Sequence, residues 1–209
     1  MKILGIDEAG RGCVLGDLVI AGFLAEAPDD ELLRKAGAAD SKALSAKRRE
    51  LARSRLADLG QAILRRITPE QIDGGNLNTL EESAIVEIVT ETRPDVVLLD
   101  ALGHPRTLPA LRARLQRQLP EDLEPRWTIE PKADATYPMV GAASIFAKTA
   151  RDGALQSLVD AFGELGSGYP SDPKTKAWLT AWARTGAPWP HFVRTRWATI
   201  TELAQQALL

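Results

Sequence analysis

The apolar run at residues 96–99, Val-Val-Leu-Leu, constrains the fold of this 209-residue chain more than any other feature. A half-exposed strand alternates apolar and polar residues, and this run does not, so it predicts a buried central strand. The hydrophobic content of 44% and the charged content of 26% are typical of a globular protein with a sizeable core. We therefore expect one main domain built around a sheet.

The order of the remaining patterns predicts an α/β fold. Apolar, β-rich runs at 2–6, 17–24 and 61–68 indicate an antiparallel meander, and after it strands alternate with helices. Ser45 is the expected N-cap of one helix, and Thr79 with Glu82 has the spacing of a capping box that opens another. The predicted helices span 46–59, 79–92, 107–118, 140–165, 173–184 and 198–207, and a further short strand spans 127–130.

Composition and termini limit the classes of protein to which the chain can belong. No run approaches the roughly 18 apolar residues of a membrane helix, and the N-terminus lacks a signal pattern, so we expect a cytoplasmic protein without a membrane segment. The single cysteine, Cys13, excludes an intramolecular disulfide and a Cys-rich zinc site. The net charge of −2 does not mark a nucleic-acid binder.

The C-terminal part of the chain is more basic than the whole. From Leu165 onward the sequence contains five basic and two acidic residues. The basic residues are Lys174, Lys176, Arg184, Arg194 and Arg196, and the acidic residues are Asp172 and Glu202. This tail is either a surface that attracts phosphates or an ordinary solvated helix surface, and composition alone supports both interpretations.

Two adjacent carboxylates precede a glycine turn in the run Gly5-Ile6-Asp7-Glu8-Ala9-Gly10-Arg11-Gly12. Strand side chains alternate faces, so Asp7 and Glu8 can serve one centre only if the strand ends or bends there, as Gly10 and Gly12 permit. The glycines also let backbone N–H groups approach a ligand closely. The run predicts a metal-dependent phosphate site, with an acidic turn that merely caps a strand as the alternative.

Two more carboxylates follow predicted strands. Asp100 ends the buried run, where an ionised side chain is costly unless it is paired or bound to metal, and Asp134 follows the next strand. Local amides could instead satisfy Asp100, and Asp134 could cap a helix. Four carboxylates without a histidine or cysteine cluster suit Mg²⁺ or Mn²⁺, and such sets suit two-metal phosphoryl hydrolysis.

Further segments share an order and spacing with a known family. They are Asp40-Ser41-Lys42, residues 96–103, residues 132–138 leading into 142–148, and Gly166-Ser167-Gly168-Tyr169-Pro170-Ser171-Asp172-Pro173. Together with the first motif they resemble ribonuclease HII, the type 2 ribonuclease H family, over nearly the whole chain. The resemblance implies a ribonuclease H-like α/β fold with a mixed five-stranded sheet flanked by helices. We expect a catalytic domain over 1–165 and a helical extension over 166–209 that contributes to substrate binding.

The resemblance also implies an activity. The expected enzyme is an endonuclease that cuts the RNA strand of RNA/DNA hybrids and cuts 5′ of single ribonucleotides in duplex DNA, leaving 3′-OH and 5′-phosphate ends. Its catalytic and metal-binding set would be Asp7, Glu8, Asp100 and Asp134, with two Mg²⁺ or Mn²⁺ ions, and we expect Asp7 to bridge both. The expected partners are these duplexes. We expect the protein to be a monomer that acts in DNA replication and ribonucleotide excision repair.

Substrate-binding residues follow from the same resemblance. The backbone of Gly10, Arg11 and Gly12 would contact the ribose 2′-OH, although Arg11 could instead contact phosphate or brace the loop. Ser41 and Lys42 would contact phosphate. Tyr169 would pack on the sugar at the RNA to DNA junction, with a core role as the alternative. Lys148 and Arg151, three residues apart on one helical face, are candidate phosphate contacts or merely solvated charges.

Other residues are assigned to the structure. Packing is predicted for four of the five tryptophans, namely Trp178, Trp182, Trp189 and Trp197, and no role is assigned to His104 or His191. Cys13, expected to be small and buried, and Asp17, expected to begin the second strand, stand where the family usually has proline.

Two competing interpretations remain at this stage. One is ribonuclease HIII, a relative with the same fold whose additional N-terminal domain we expect this chain to lack. The other is a non-catalytic nucleic-acid-binding or protein-binding module on a decayed nuclease fold.

Overall fold

A computed structural model of the chain describes residues 1–38, 44–101 and 105–206. Ser41, Lys42 and His104 lie outside the described residues, so the roles assigned to the first two stay predictions. The sheet has five strands in the order β3-β2-β1-β4-β5. The strands are Lys2–Ala9 (β1), Leu18–Glu26 (β2), Gln61–Ile67 (β3), Val96–Asp100 (β4) and Arg126–Glu130 (β5). The predicted α/β class and mixed sheet are confirmed.

The described residues also form a set of helices. They are Asp30–Ala36 (α1), Ala46–Leu56 (α2), Pro69–Gly74 (α3), Leu77–Thr92 (α4), Leu108–Gln118 (α5), Ala133–Thr136 (α6), Pro138–Gln156 (α7), Val159–Phe162 (α8), Pro173–Ala183 (α9) and Ala198–Gln206 (α10), with a 3₁₀ turn at Pro105–Thr107. None of the helices in these ranges is long and apolar enough to cross a membrane.

Several predicted boundaries are wrong. β1 continues through Asp7 and Glu8 to Ala9 rather than ending at residue 6. The long helix predicted to reach residue 165 ends at Gln156 and is followed by the short α8. Helix α4 begins at Leu77, and the Oδ1 atom of Asn76 accepts a hydrogen bond from the Thr79 N–H, so the cap lies three residues earlier than predicted.

The chain divides into two compact units, and the first contains the described residues of Met1–Ala9, Ile20–Arg65 and Glu81–Thr149. Its parallel strands β1, β4 and β5 carry buried apolar side chains, and Phe23 stacks on Phe146 with ring centroids 5.7 Å apart. Gly5 is required where β1 meets the start of α7, because an added Cβ would lie 2.2 Å from the carbonyl oxygen of Met139. This close approach fixes β1 against α7.

The second unit contains the described residues of Gly10–Val19, Arg66–Leu80 and Ala150–Leu209. Its core comprises Val14, Leu15, Leu155, Leu165, Leu179, Phe192, Val193 and Ile200. Trp178, Trp189 and Trp197 pack against this core, and Trp182 stacks on Trp178 with ring centroids 5.3 Å apart, which confirms the predicted packing role of all four. The division into a catalytic domain over 1–165 and an extension over 166–209 stays a prediction.

Candidate active site

Three aspartates from different segments meet in the first unit. The parallel register pairs Ile6 of β1 with Leu99 of β4, so the next residues, Asp7 and Asp100, follow at the same edge of the sheet. Asp134 joins them from the first turn of α6. One carboxylate oxygen of each lies within 4.8 Å of the others. Residues from three separate segments of the sequence are thereby brought into one acidic cluster.

Backbone amides orient the three carboxylates. The Asp7 Oδ1 atom accepts from the Glu8 N–H at 2.7 Å, and the Asp134 Oδ1 atom accepts from the Ala135 N–H at 3.0 Å. The Asp100 Oδ1 atom accepts from the N–H groups of Ala101 and Ala133, both at 3.0 Å. The last of these bonds ties the end of β4 to the first residue of α6, which carries Asp134.

The electrostatic environment of Asp7 opposes its ionisation. Burial raises the pKa of the Asp7 carboxyl well above its usual range, and the charges of Glu8 and Asp100 raise it further. Hydrogen bonds from the Ser144 side chain and the Glu8 backbone act in the opposite direction and lower this pKa. Only 6% of Asp7 is exposed, so water screens the repulsion poorly. A positive charge at this place would relieve it.

The donors in the cluster fit a divalent metal ion. All three are carboxylates, and oxygen donors are the ligands of Mg²⁺ and Mn²⁺, whereas structural zinc sites use cysteine and histidine. Their convergence is the geometry that a cation site requires, and a bound cation would offset the charge repulsion that raises the pKa of Asp7. Asp7, Asp100 and Asp134 would hold the ion.

Glu8 is not among the acids that meet within 4.8 Å in the described part of the chain. The physical reason is that β1 continues past it, so the neighbouring side chains of Asp7 and Glu8 alternate between faces. Its charge nevertheless affects Asp7. A ligand role for Glu8 stays a prediction.

The glycine turn that follows β1 is held by a buried arginine of the second unit. The Arg194 guanidinium donates from Nη2 to the Gly10 carbonyl at 2.7 Å, from Nη1 to the Arg11 carbonyl at 2.9 Å and from Nε to the Gly16 carbonyl at 3.0 Å. It also lies over the Trp197 ring, 5.1 Å from the centroid. Burial lowers the pKa of Arg194 to about 10, so the group stays charged at neutral pH. Sequence analysis missed this role.

Tyr169 lies beside the same turn. The Val14 N–H donates to the Gly168 carbonyl at 2.8 Å, which joins the turn to the segment that carries Tyr169. Burial of the phenol, and next the neighbouring Cys13, raise the pKa of Tyr169 to about 12. Cys13 itself is fully buried, as predicted, and its Sγ accepts from Arg151 Nη2 at 3.1 Å.

The placement of Arg151 corrects a prediction. Its side chain is only 2% exposed, donates to Cys13 and Asp152 and lies 5.7 Å from the Tyr169 ring centroid, so it is not the accessible phosphate contact that was expected. Lys148, on the same helix, is half-buried and stays a predicted phosphate contact.

Two other sequence predictions gain a structural context. Arg11 Nη2 donates to Asn78 Oδ1 at 2.7 Å, which favours the bracing interpretation without excluding phosphate. Asp17 immediately precedes β2, and its Oδ2 atom lies 3.6 Å from Nη1 of Arg66. Asp17 is outside the acidic cluster, which agrees with a role at the start of the strand.

The mixed sheet with carboxylates at the ends of its parallel strands defines a metal-dependent nuclease of the ribonuclease H-like class. The family model described as Ribonuclease HII matches residues 4–200. Ribonuclease HII of Archaeoglobus fulgidus is 38% identical, and the match covers 98% of this chain and 97% of the relative. Ribonuclease HII of Aeropyrum pernix is 41% identical, and the match covers 96% of this chain and 89% of the relative. The chain belongs to the ribonuclease HII family and is a metal-dependent endoribonuclease.

Solved structures agree with this assignment. Ribonuclease H2 from Pyrococcus horikoshii has a TM-score of 0.89 at 36% identity, covering 100% of this chain and 99% of the other. The RNase HII of Archaeoglobus fulgidus, solved in complex with PCNA, has a TM-score of 0.85 at 36% identity, covering 96% of both chains. Bst-RNase HIII in complex with Mn²⁺ has a TM-score of 0.76 at 18% identity, and the match covers 99% of this chain and 70% of the other. At this identity the comparison shows a shared fold.

Proposed function

We propose that the chain hydrolyses the RNA strand of RNA/DNA hybrids and cuts 5′ of single ribonucleotides in duplex DNA, leaving 3′-OH and 5′-phosphate ends. Membership of the ribonuclease HII family supports the general activity. The observation that carries the proposal is the convergence of three carboxylates, two of them largely buried, at one edge of the sheet. A decayed binding module has no need to keep such a costly cluster.

The catalytic acids are proposed to be Asp7, Glu8, Asp100 and Asp134. When bound, two Mg²⁺ or Mn²⁺ ions supply activation of water and stabilisation of the leaving oxygen. The amides that orient Asp7, Asp100 and Asp134 keep these side chains in position before any ligand arrives. The exclusion of water around Asp7 strengthens its interaction with positive charge.

Substrate selection is assigned to the second unit. The backbone of the turn formed by Gly10, Arg11 and Gly12 is proposed to contact the ribose 2′-OH, the group that separates RNA from DNA. Its rigidity under Arg194 supports this assignment, because a turn that is already ordered loses little entropy on binding. The Tyr169 ring is proposed to pack on the sugar at the junction.

A cleavage assay on matched duplexes tests the proposed function. Duplexes of one sequence that are all DNA, carry one ribonucleotide or form a full RNA/DNA hybrid would be incubated with Mg²⁺, Mn²⁺ or chelator. We expect cutting of the last two with metal, 3′-OH and 5′-phosphate ends, and no cutting of DNA. Asp100→Asn and Asp134→Asn should lose most activity while remaining folded. Binding of the duplexes without cleavage under all conditions would support the decayed module instead.

A further inference from the structure

The segment that carries Arg194 is itself anchored by one carboxylate. The Asp73 Oδ2 atom accepts from the Thr195 N–H at 2.6 Å and from the Thr195 hydroxyl at 2.7 Å, and its Oδ1 atom accepts from the Arg196 N–H at 3.2 Å. These bonds involve the two residues directly after Arg194. The Arg194 backbone is also fixed on its other side, because its N–H donates to the Val14 carbonyl at 2.9 Å.

We propose that Asp73 is a remote positioning residue for ribose recognition, which acts by holding Arg194 in place under the turn of Gly10, Arg11 and Gly12. The inference rests on the proposed function of that turn. Asp73 contacts the segment at Thr195 and Arg196, and Arg194 in turn contacts the carbonyls of the turn. Displacement of Arg194 would release three carbonyl groups of the 10–16 segment at once.

Helix α3, which carries Asp73, does not need this carboxylate for its own stability. Thr68 and Gln71 form a capping box at its start, and Pro69 occupies its first turn. Asp73 lies in the last turn, where a negative charge next to the exposed carbonyl groups of a helix is unfavourable. The carboxylate therefore stabilises the 195–196 segment rather than α3.

Asp73 also acts on Arg194 through its charge. Burial opposes the charged form of the guanidinium most strongly, Cys13 favours that form, and the carboxylates of Asp17 and Asp73 favour it to a smaller extent. Asp17, the other carboxylate that favours it, is paired with Arg66. Asp73 thus contributes both the backbone position of the arginine and part of the negative charge that its burial requires.

The test measures discrimination rather than overall activity. An all-DNA duplex would be titrated as a competitive inhibitor, and the ratio of its inhibition constant to the KM of the matched single-ribonucleotide duplex would measure how strongly the ribose is recognised. Asp73→Asn should lower this ratio about tenfold through a higher KM, with kcat changed less than about twofold. Thr195→Ala, which removes only the hydroxyl bond, should lower the ratio about two- to threefold.

A matched control separates positioning from loss of stability. Asp29 also accepts from two backbone N–H groups, those of Glu31 and Leu32, at the start of α1 in the first unit. Asp29→Ala, which removes both bonds, should lower the melting temperature without changing the ratio. Equal ratios in wild type, Asp73→Asn and Thr195→Ala would overturn the proposal.

A double-variant cycle tests the route through Arg194. Arg194→Lys leaves one ammonium group for three carbonyls, so it should lower the ratio by itself. Adding Asp73→Asn to Arg194→Lys should then lower the ratio by less than about a further twofold. A full additional tenfold decrease would contradict the inference that Asp73 acts through Arg194. If Arg194→Lys does not fold, the two single variants still decide the matter. A wild-type protein that does not distinguish the two duplexes would instead refute the proposed function.

Discussion

Three aspartates in one place have a free-energy cost that the folded chain must offset. Asp7 is the residue at which this cost is greatest, because burial and the charges of Glu8 and Asp100 all oppose its ionisation. Hydrogen bonds to the carboxylates orient them but leave the repulsion largely uncompensated. Function and stability therefore make opposite demands on this residue.

We predict that Asp7→Asn inactivates the protein and stabilises its metal-free form. The amide keeps an acceptor for the Glu8 N–H but removes the charge, so cleavage should fall at least about 100-fold. In chelator at neutral pH, the free energy of unfolding should rise by about 1 kcal/mol. Denaturant unfolding and the cleavage assay measure the two effects. Asp17→Asn, outside the cluster, is the control that should keep both activity and metal requirement.

The stabilisation by Asp7→Asn should depend on pH. The folded-state pKa of Asp7 is raised, so between the unfolded value near 4 and the folded value the native state binds more protons and loses stability as pH rises. The variant lacks this loss. Its advantage should therefore vanish below about pH 4 and grow toward neutral pH. An advantage that is constant from pH 4 to 8 would mean that charge is not its cause.

We predict that Tyr169 selects substrate through its ring rather than its hydroxyl. Tyr169→Ala should change the ratio of rates on the single-ribonucleotide duplex and the full hybrid about tenfold, while Tyr169→Phe should leave it within about twofold. With a pKa of about 12, the phenol stays protonated from pH 7 to 10, so the wild-type ratio should not titrate in that range through this group. An unchanged ratio of rates in Tyr169→Ala would contradict substrate contact and support a packing role for Tyr169 in the core.

At the scale of elements, the sequence predicts regular strands better than short helices. All five strands were predicted to within a few residues, since their apolar runs are bounded by glycine, proline or charge. The short helices α1, α3 and α6 were missed because four to seven residues give too little periodicity to detect. The extension of β1 past residue 6 was missed because glycines permit a bend but do not require one.

We predict opposite effects for two glycine substitutions in β1 and α7. Gly5→Ala should destabilise the first unit by about 3 kcal/mol, because the new methyl group would overlap the Met139 carbonyl. Gly153→Ala should stabilise by about 0.5–1 kcal/mol, because outside its chain neighbours and the backbone of its own helix no heavy atom of the described residues lies within 4 Å of the added Cβ, and alanine favours the helix. Thermal unfolding of both variants measures the difference. Equal effects would mean that β1 and α7 do not meet at Gly5.

At the scale of the molecule, the sequence motifs predicted the acidic cluster but not the residues that support the turn of Gly10, Arg11 and Gly12. Asp7 lies near the end of β1, Asp100 ends β4 and Asp134 follows β5, and parallel strands bring residues at their carboxyl ends together. Arg194 follows the turn by more than 180 positions and was counted only as part of a basic tail. Neither its burial nor that of Arg151 leaves a pattern in a single sequence, because both depend on which segments pack together.

We predict that metal binding stabilises the whole chain by linkage. Mg²⁺ that binds only the native state at about 100 times its dissociation constant contributes about 2.7 kcal/mol, which corresponds to roughly 5–10 °C for a chain of this length. Thermal unfolding with Mg²⁺ and with chelator measures the shift. Asp134→Asn should lose most of it, because all three converging acids are needed, while Asp17→Asn should keep it. A shift of equal size in wild type and Asp134→Asn would place the ion outside the acidic cluster.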